Sequence, residues 1–329
     1  MMCRRQTRRL GLVLSQFLTT AASSSAAAAA AGNCSAPAEV DYDHYLDYKL
    51  LDSTPVSPDS KLLRFELPPQ HRPTLGLPLP SCLKVKKTFV DEQSGEQYVL
   101  DKSYSPVSMP DQPDWVEFLV KGYAARPAGH GAVHGGRGGL GAFLVSMEPG
   151  QTAQMLAKKP RMFHGEAYVP GRWDHIGFLA GGTGIAPMLQ MIRTILSNRD
   201  DAATQLSLVF ANRDENDILA RAELDELAEQ HAARFRVRYV LSSPPQGSSL
   251  WAGGTGWITA EDVAGHLPSP ADDNIQVLVC GRDEFVQSMG GLTGRAPPPP
   301  GKKKGPKIQG ELTGLLAETG YKAEQVYKF

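Results

Sequence analysis

Between His175 and Met191 the chain reads HIGFLAGGTGIAPMLQM, and this stretch limits the fold more than any other. Ile176 to Ala180 is an apolar run of strand length. Gly181-Gly182-Thr183-Gly184 interrupts it, and Pro187 opens a segment in which Met188, Met191, Ile192 and Ile195 recur at helical spacing. Proline suits a first helical turn, where its missing N–H would have no partner and its φ is already helical. Strand, glycine turn and helix start leave backbone N–H groups unpaired at one point, which is how an α/β domain receives a phosphate. The spacing is G-x-G-x-x-P (Gly182, Gly184, Pro187), which differs from the ordinary G-x-G-x-x-G.

The alternation continues. Gln205 to Ala211, Phe235 to Leu241 and Ile275 to Cys280 are apolar strands. Ala222 to Ala233, a capping-box helix from Thr259 to about Leu267, and Glu284 to Met289 are the intervening helices. Continuous apolar strands separated by helices predict a parallel sheet covered on both faces. Its ligands belong at the carboxyl ends of strands, where Gly181–Gly184, Asn212 and Cys280-Gly281 fall. Gly290 to Pro306, GGLTGRAPPPPGKKKGP, reads as a basic, Pro-rich surface loop with Lys302–Lys304 solvated. A last helix over Glu311–Glu318 precedes an aromatic terminus, Val326-Tyr327-Lys328-Phe329.

Residues 43–168 have another character. Leu62–Leu67, Leu83–Lys86 and Trp115–Val120 are short strands punctuated by Pro and Gly, with no long helix, so a small antiparallel barrel is expected. Within it, Lys102-Ser103-Tyr104-Ser105-Pro106-Val107-Ser108 offers a cation, an aromatic ring and hydroxyls, a set suited to a flavin or to an ordinary polar turn. Gly138-Gly139-Leu140-Gly141 leads into a short helix and presents N–H groups suited to phosphate. Between them, His130 and His134 lie in a Gly-rich loop without a carboxylate or cysteine at ligand spacing, so a metal site is not expected, and Arg137 is a candidate phosphate contact.

The first 42 residues stand apart. Arg4, Arg5, Arg8 and Arg9, many Ser and Ala, and no acid before Glu39 predict a mitochondrial targeting segment. A secretory signal and an N-terminal membrane anchor, at the endoplasmic reticulum or an outer membrane, are the alternatives. A net charge of −1 over 329 residues gives no reason to expect a nucleic-acid partner. Four scattered cysteines form neither a disulfide framework nor a zinc pattern.

Taken in order, KSYSPVS from Lys102, VKGY at Val120–Tyr123, GGLGAFL from Gly138, GGTGIAPMLQ from Gly181, FANRDENDIL from Phe210 and VCGRDEF from Val279, with a terminal Phe329, resemble the ferredoxin–NADP reductase superfamily. Within it the chain is most similar to the NADH–cytochrome b5 reductases. The resemblance implies an antiparallel β-barrel that binds FAD (43–168) followed by a Rossmann-like α/β domain that binds NADH (169–329). It implies an oxidoreductase that passes a hydride from NADH to FAD and then single electrons to a heme protein, cytochrome b5 foremost. Lys102 would face the FAD pyrophosphate, with Ser103 beside it, Tyr104 the flavin ring face and Ser105 its N5 region. Val120, Lys121 and Tyr123 would flank the flavin, and Gly138, Gly139, Leu140 and Gly141 would hold its diphosphate. Gly182, Thr183, Gly184 and Pro187 would approach NADH. Phe210, Asn212 and Asp214 would line the adenosine side, while Cys280, Gly281 and Phe329 would stand near the nicotinamide. Tyr104, Ser105 and Cys280 are the candidate catalytic residues.

Departures from the family pattern are Lys102 where Arg is usual, Gly141 where a hydroxyl is expected, and Arg282-Asp283 in place of Pro-Pro. They keep two other readings open: a flavin-deficient dinucleotide-sensing module, and a same-fold reductase serving a nitrate-reductase-type heme or a ferredoxin. Asp214 and Glu215 would repel a 2′-phosphate and favour NADH, whereas Arg213 and Ser242 pull toward NADPH. Lys84, Lys86, Lys87, Lys158 and Lys159 form a candidate basic surface for an acidic acceptor, solvated lysines being the plainer reading.

Overall fold

Six antiparallel strands form the first half of the molecule: β1 (Leu46–Ser57), β2 (Ser60–Glu66), β3 (Leu83–Val90), β4 (Gln97–Tyr104), β5 (Trp115–Lys121) and β6 (Thr152–Ala157), with helix α1 (Leu140–Ser146) before β6. The computed structural model describes residues 40–91, 94–123, 139–159, 167–244, 251–301 and 305–329, all within the compact unit Pro37–Phe329. The strand order is β4-β3-β6-β1-β2-β5. Past β4 the chain turns at Pro106 to bridge Phe118 of β5, and the Val107 amide donates to the Glu117 carbonyl at 2.8 Å, so the sheet closes on itself.

Closure depends on β1, which the sequence pattern did not reveal. Its first four residues pair with β6 and the rest with β2, with register shifts between Leu50 and Asp52 and between Pro55 and Ser57. A bulge of this kind bends a strand and lets one strand serve two parts of a barrel wall. Tyr48 and Leu50 alternate inward and are fully buried with Leu63, Phe65 and Met155. Leu140 and Leu144, one helical turn apart on α1, close the barrel end by packing into the same cluster.

The second half is a parallel sheet of order β10-β9-β8-β7-β11-β14. Its strands are β7 (His175–Gly181), β8 (Gln205–Asn212), β9 (Phe235–Leu241), β10 (Gly254–Thr255), β11 (Ile275–Cys280) and β14 (Val326–Lys328). Helices α2 (Ile185–Ser197) and α3 (Arg221–Gln230) cover one face; α4 (Ala260–His266), α5 (Asp283–Gly290) and α6 (Gly314–Glu318) cover the other. Alternation assigns the faces: Ile176, Phe178, Leu206, Leu208 and Leu278 pack toward α2, and Leu179, Val209, Val277 and Val279 toward α4 and α5. The sheet grows from β7 toward β8 on one side and toward β11 on the other, so its switch point lies between β7 and β11.

Two expectations are refined. Helix α2 starts at Ile185 after a tight Gly182–Gly184 turn, with Pro187 as its third residue, still within the turn whose N–H groups have no helical partner. The described part of Gly290–Pro306 is largely an irregular surface connection, as expected, but its Gly294–Arg295 forms β12 and pairs with β13 (Lys307–Ile308) just beyond it. Lys302–Lys304 lie outside the described residues.

The two halves share an interface. Leu79, Val107 and Leu119 of the barrel join the apolar cluster under α2. Gln190 of α2 is 1% exposed, accepts the Ser81 hydroxyl at 3.2 Å and donates to the Ser108 carbonyl at 2.9 Å. Arg193 donates to the Val107 carbonyl and is held by Glu223 at 2.6 Å.

Candidate functional site

A cleft of about 840 Å³ opens between the barrel and the carboxyl ends of the parallel strands. The barrel supplies Lys102–Ser105 from the end of β4, Lys121 and Tyr123 from the end of β5, and Gly141 from α1. The parallel-sheet domain supplies Thr183 and Pro187 from the glycine turn, Cys280 from β11 and Phe329 from the end of β14. Residues that the chain separates by more than two hundred positions thus meet in one place, because closing the barrel and docking α2 on it fixes both walls.

At the glycine turn, Gly182 sits at φ +53° with nothing within 4 Å of where a Cβ would be, so its backbone is open to a ligand. Gly184 is the opposite case. A Cβ there would lie 2.1 Å from the Cys280 carbonyl oxygen, so only glycine lets α2 start this close to β11. The Cys280 thiol is pushed up to about 12 by burial, which keeps it neutral at physiological pH. Burial likewise moves the Tyr104 phenol well above its ordinary value, so it stays a hydrogen-bonding hydroxyl.

Gly141 also has a reason. A Cβ would stand 2.5 Å from the Lys121 carbonyl oxygen, because α1 lies directly on the end of β5. A hydroxyl side chain does not fit this backbone, so the departure reflects packing. Lys121 itself is engaged: its ammonium lies 3.0 Å from Asp59 and 3.4 Å from Asp217, the latter on the parallel-sheet domain. Burial works against the charge, but the two carboxylates outweigh it and hold the ammonium above its ordinary value.

The remaining predicted positions separate by role. Phe210 is fully buried against Tyr239 in the α2-side core, so its side chain does not line an adenosine site. Val120 and Leu140 point into the barrel core and do not line the cleft. Gly139 caps α1, and Gly281 packs under Phe285. Asp214 accepts the Asn216 amide at 3.0 Å and pairs with Arg213 at 3.0 Å. Asn212, at the carboxyl end of β8, is 7% exposed with neither amide atom hydrogen-bonded. Gly138 and Arg137 lie outside the described residues, as do His130 and His134.

Lining residues that escaped assignment from the sequence include Ser81, Cys82, Arg295 and Lys307. The first two follow two prolines and carried no pattern; the other two were hidden in the Pro-rich stretch. Among the described charged residues that line the cleft, seven are basic and one, Asp101, is acidic, and Asp101 pairs with Lys84. A cationic cleft with an open glycine turn and an orphaned asparagine fits phosphate-bearing dinucleotides. Its volume is near the upper end for small-molecule sites. Among the described residues no cluster of His, Cys, Asp or Glu could hold a metal.

Comparison with known proteins agrees with this geometry. Residues 47–162 match an oxidoreductase FAD-binding domain and residues 178–290 an oxidoreductase NAD-binding domain. The chain is 36% identical over 285 residues to NADH-cytochrome b5 reductase 2 of Emericella nidulans, covering 87% of this chain and 78% of that protein. It is 37% identical over 286 residues to NADH-cytochrome b5 reductase 2 of Coccidioides immitis, covering 87% and 77%. The cytochrome b5 reductase domain of Ulva prolifera nitrate reductase shares the fold, with a TM-score of 0.70 over 90% of this chain and all of that one at 24% identity. The chain is therefore a flavin-dependent oxidoreductase that takes FAD and NADH, and it belongs to the NADH–cytochrome b5 reductase family.

Proposed function

We propose that the chain moves electrons from NADH through FAD to cytochrome b5 or a closely similar acidic heme protein. The observation that carries this reading is the cleft in which the barrel's Lys102–Ser105 meets Thr183, Cys280 and Phe329. Bound FAD supplies the redox chemistry, taking a hydride from NADH and releasing electrons one at a time. The chain's own residues position and enclose. Lys102 is exposed at the mouth, with no ion pair among the described residues, and can meet a diphosphate as a point charge. Tyr104 and Ser105 present hydroxyls from one wall, while Gly182–Gly184 lets a dinucleotide reach backbone N–H groups on the other. Leu119, Ala186 and Pro187 line the cleft with apolar surface, which limits water where the two rings meet.

NADH over NADPH rests on charge. Arg213, which favours a 2′-phosphate, is tied to Asp214 and Asp217 at 3.0 Å each, and the neighbouring Arg221 is paired with Glu215. Both charges are spent within the protein, and the surrounding carboxylates repel a further phosphate.

The lysines of β3 and β4 and those just after β6 support an acidic acceptor. Register places Lys84 opposite Ser103 and Leu156, and Val85 opposite Lys102, so Lys158 and Lys159 just past β6 lie near Lys84 and Lys102. For residues 1–42, the arginine-rich composition with no acid before Glu39 supports mitochondrial targeting, and a tagged full-length chain recovered in the endoplasmic reticulum would overturn it. No helix among the described residues is long and apolar enough to cross a membrane.

The test is direct. Purified protein should be yellow, be bleached by NADH faster than by NADPH, and then reduce cytochrome b5. A colourless protein that does not take up added FAD, or a bleached flavin that leaves cytochrome b5 oxidised, would overturn the proposal.

A further inference from the structure

We propose that Lys328 is a positioning residue for hydride transfer from NADH, its buried ammonium holding the Phe329 ring at the place where the nicotinamide is seated. β14 is the outermost strand of the parallel sheet and is three residues long, so its own ladder gives it little hold. Yet Phe329, which follows it, lines the cleft together with Tyr327 and Cys280. Alternation separates the two faces of the strand. Tyr327 and Phe329 pack against the α2-side core, their rings edge to face at 5.3 Å, while Val326 packs on the α5 side. Lys328 shares the Val326 side; it is 2% exposed and does not line the cleft.

An apolar side chain would fill such a position more cheaply, because an ammonium is buried at a loss unless its donors are engaged. Here they are. The Lys328 ammonium donates to the Gly290 and Glu311 carbonyls at 2.9 Å each. Gly290 is the last residue of α5, so the cation also meets the negative end of that helix. The Lys328 stem lies over Gly290, with Cδ 3.5 Å from where a Cβ would stand. The main chain of Lys328 is held as well. Gln309 takes the place of a neighbouring strand at the open edge, accepting the Lys328 amide at 2.6 Å and donating to its carbonyl at 3.1 Å. On the inner edge the Phe329 amide donates to the Val279 carbonyl at 3.0 Å.

These bonds make Phe329 and Cys280 parts of one body. α5 runs from Asp283, just past Cys280, to Gly290, where Lys328 grips it. The ammonium thereby ties the strand that carries the ring to the helix that leads away from the thiol. Transfer between two rings is sensitive to placement, and a shift of about 1 Å can cost about a hundredfold in rate. Lys328 exchanges neither proton nor electron with the rings: the hydride, one proton with two electrons, passes from NADH, which leaves as NAD+, to the bound flavin. Without the ammonium, two carbonyls lose their donor and β14 loses its tie to α5, so the Phe329 ring shifts with the strand.

The role rests on the nicotinamide being seated beside Phe329 and Cys280, and the variants separate the two claims. In the full FAD-loaded chain, Lys328→Met should slow stopped-flow flavin reduction at saturating NADH about tenfold. FAD content, and inhibition by ADP-ribose, which lacks the nicotinamide, should stay as in wild type. Phe329→Ala should also slow flavin reduction, and Lys328→Met should add nothing in the Phe329→Ala background, because the lysine acts through that ring. Gln309→Ala should give the same pattern at about threefold and carries the test if Lys328→Met is recovered without FAD. Wild-type flavin reduction in Lys328→Met, or in Gln309→Ala where the first variant does not hold FAD, would overturn the positioning role. An equal slowing with Phe329 present and replaced would overturn it too. Phe329→Ala protein reduced as fast as wild type would overturn the seating of the nicotinamide there, and this role with it.

Discussion

At Gly141 the missing methyl group matters more than any side chain would. With the Lys121 carbonyl 2.5 Å from a would-be Cβ, Gly141→Ser must push α1 off β5. The expected cost is about 1–3 kcal/mol in urea unfolding, with lower FAD occupancy in the purified protein. The sequence marked this position as a departure from family pattern but carried no sign of the carbonyl that explains it. Lys102 is different, because its position on an exposed strand end leaves room for a larger head group. A planar two-pronged guanidinium grips a diphosphate better than an ammonium. Lys102→Arg should therefore tighten FAD binding by up to about tenfold in a fluorescence titration. Looser or unchanged binding would mean that Lys102 does not face the diphosphate.

Elements were legible where one local pattern decided them. The α4 capping box formed as its residues predicted: the Asp262 amide donates to the Thr259 hydroxyl at 3.2 Å, and the Thr259 amide donates to the Asp262 carboxylate at 3.1 Å. β9 and β11 have the expected bounds because continuous apolar runs between turn residues leave little choice. β1 and β6 were not legible, since their polar, half-exposed pattern acquires meaning only from strands far along the chain. At the start of β7, burial, reinforced by Arg236 and opposed by Asp272, lowers His175 to about 4 from an ordinary 6.5. Its ring bonds the Ser207 hydroxyl at 2.9 Å. The folded state thus resists a proton that the unfolded chain accepts. His175 adds nothing unfavourable above about pH 6.5 and costs stability progressively as pH falls toward about 4. His175→Gln should flatten the fall of the urea midpoint over that window relative to wild type. An identical pH profile would show that the ring is protonated in the folded state.

The whole molecule depends on how the two domains meet. Gln190 uses its carbonyl and its amino group across that interface, and the segments it holds, at Ser81 and Ser108, flank both sides of the flavin wall. Gln190→Leu leaves a buried hydroxyl and a buried carbonyl without partners, at about 1–3 kcal/mol each. The expected result is an earlier unfolding transition together with slower NADH-driven flavin reduction at unchanged FAD content. If the transition moves and flavin reduction does not, Gln190 stabilises the interface without setting the distance between its walls.

By itself the sequence determined what local chemistry decides. The alternation of apolar strands and helices specified a parallel sheet, the glycine turn with Pro187 marked its ligand end, and Pro- and Gly-punctuated strands specified a barrel before it. The tertiary structure decided everything that depends on approach between distant segments. It put Phe210 in the core, because every second residue of a strand covered on both faces points to the same helices. It required glycine at 141 and 184, because backbone from β5 and β11 passes within a methyl group's reach. It also gave a Pro-rich basic run a two-stranded pairing that brings Arg295 and Lys307 to the cleft, because Gln309 and Lys328 bind its stem to the last strand. Periodicity records which face of an element is buried; it does not record which other element lies against that face.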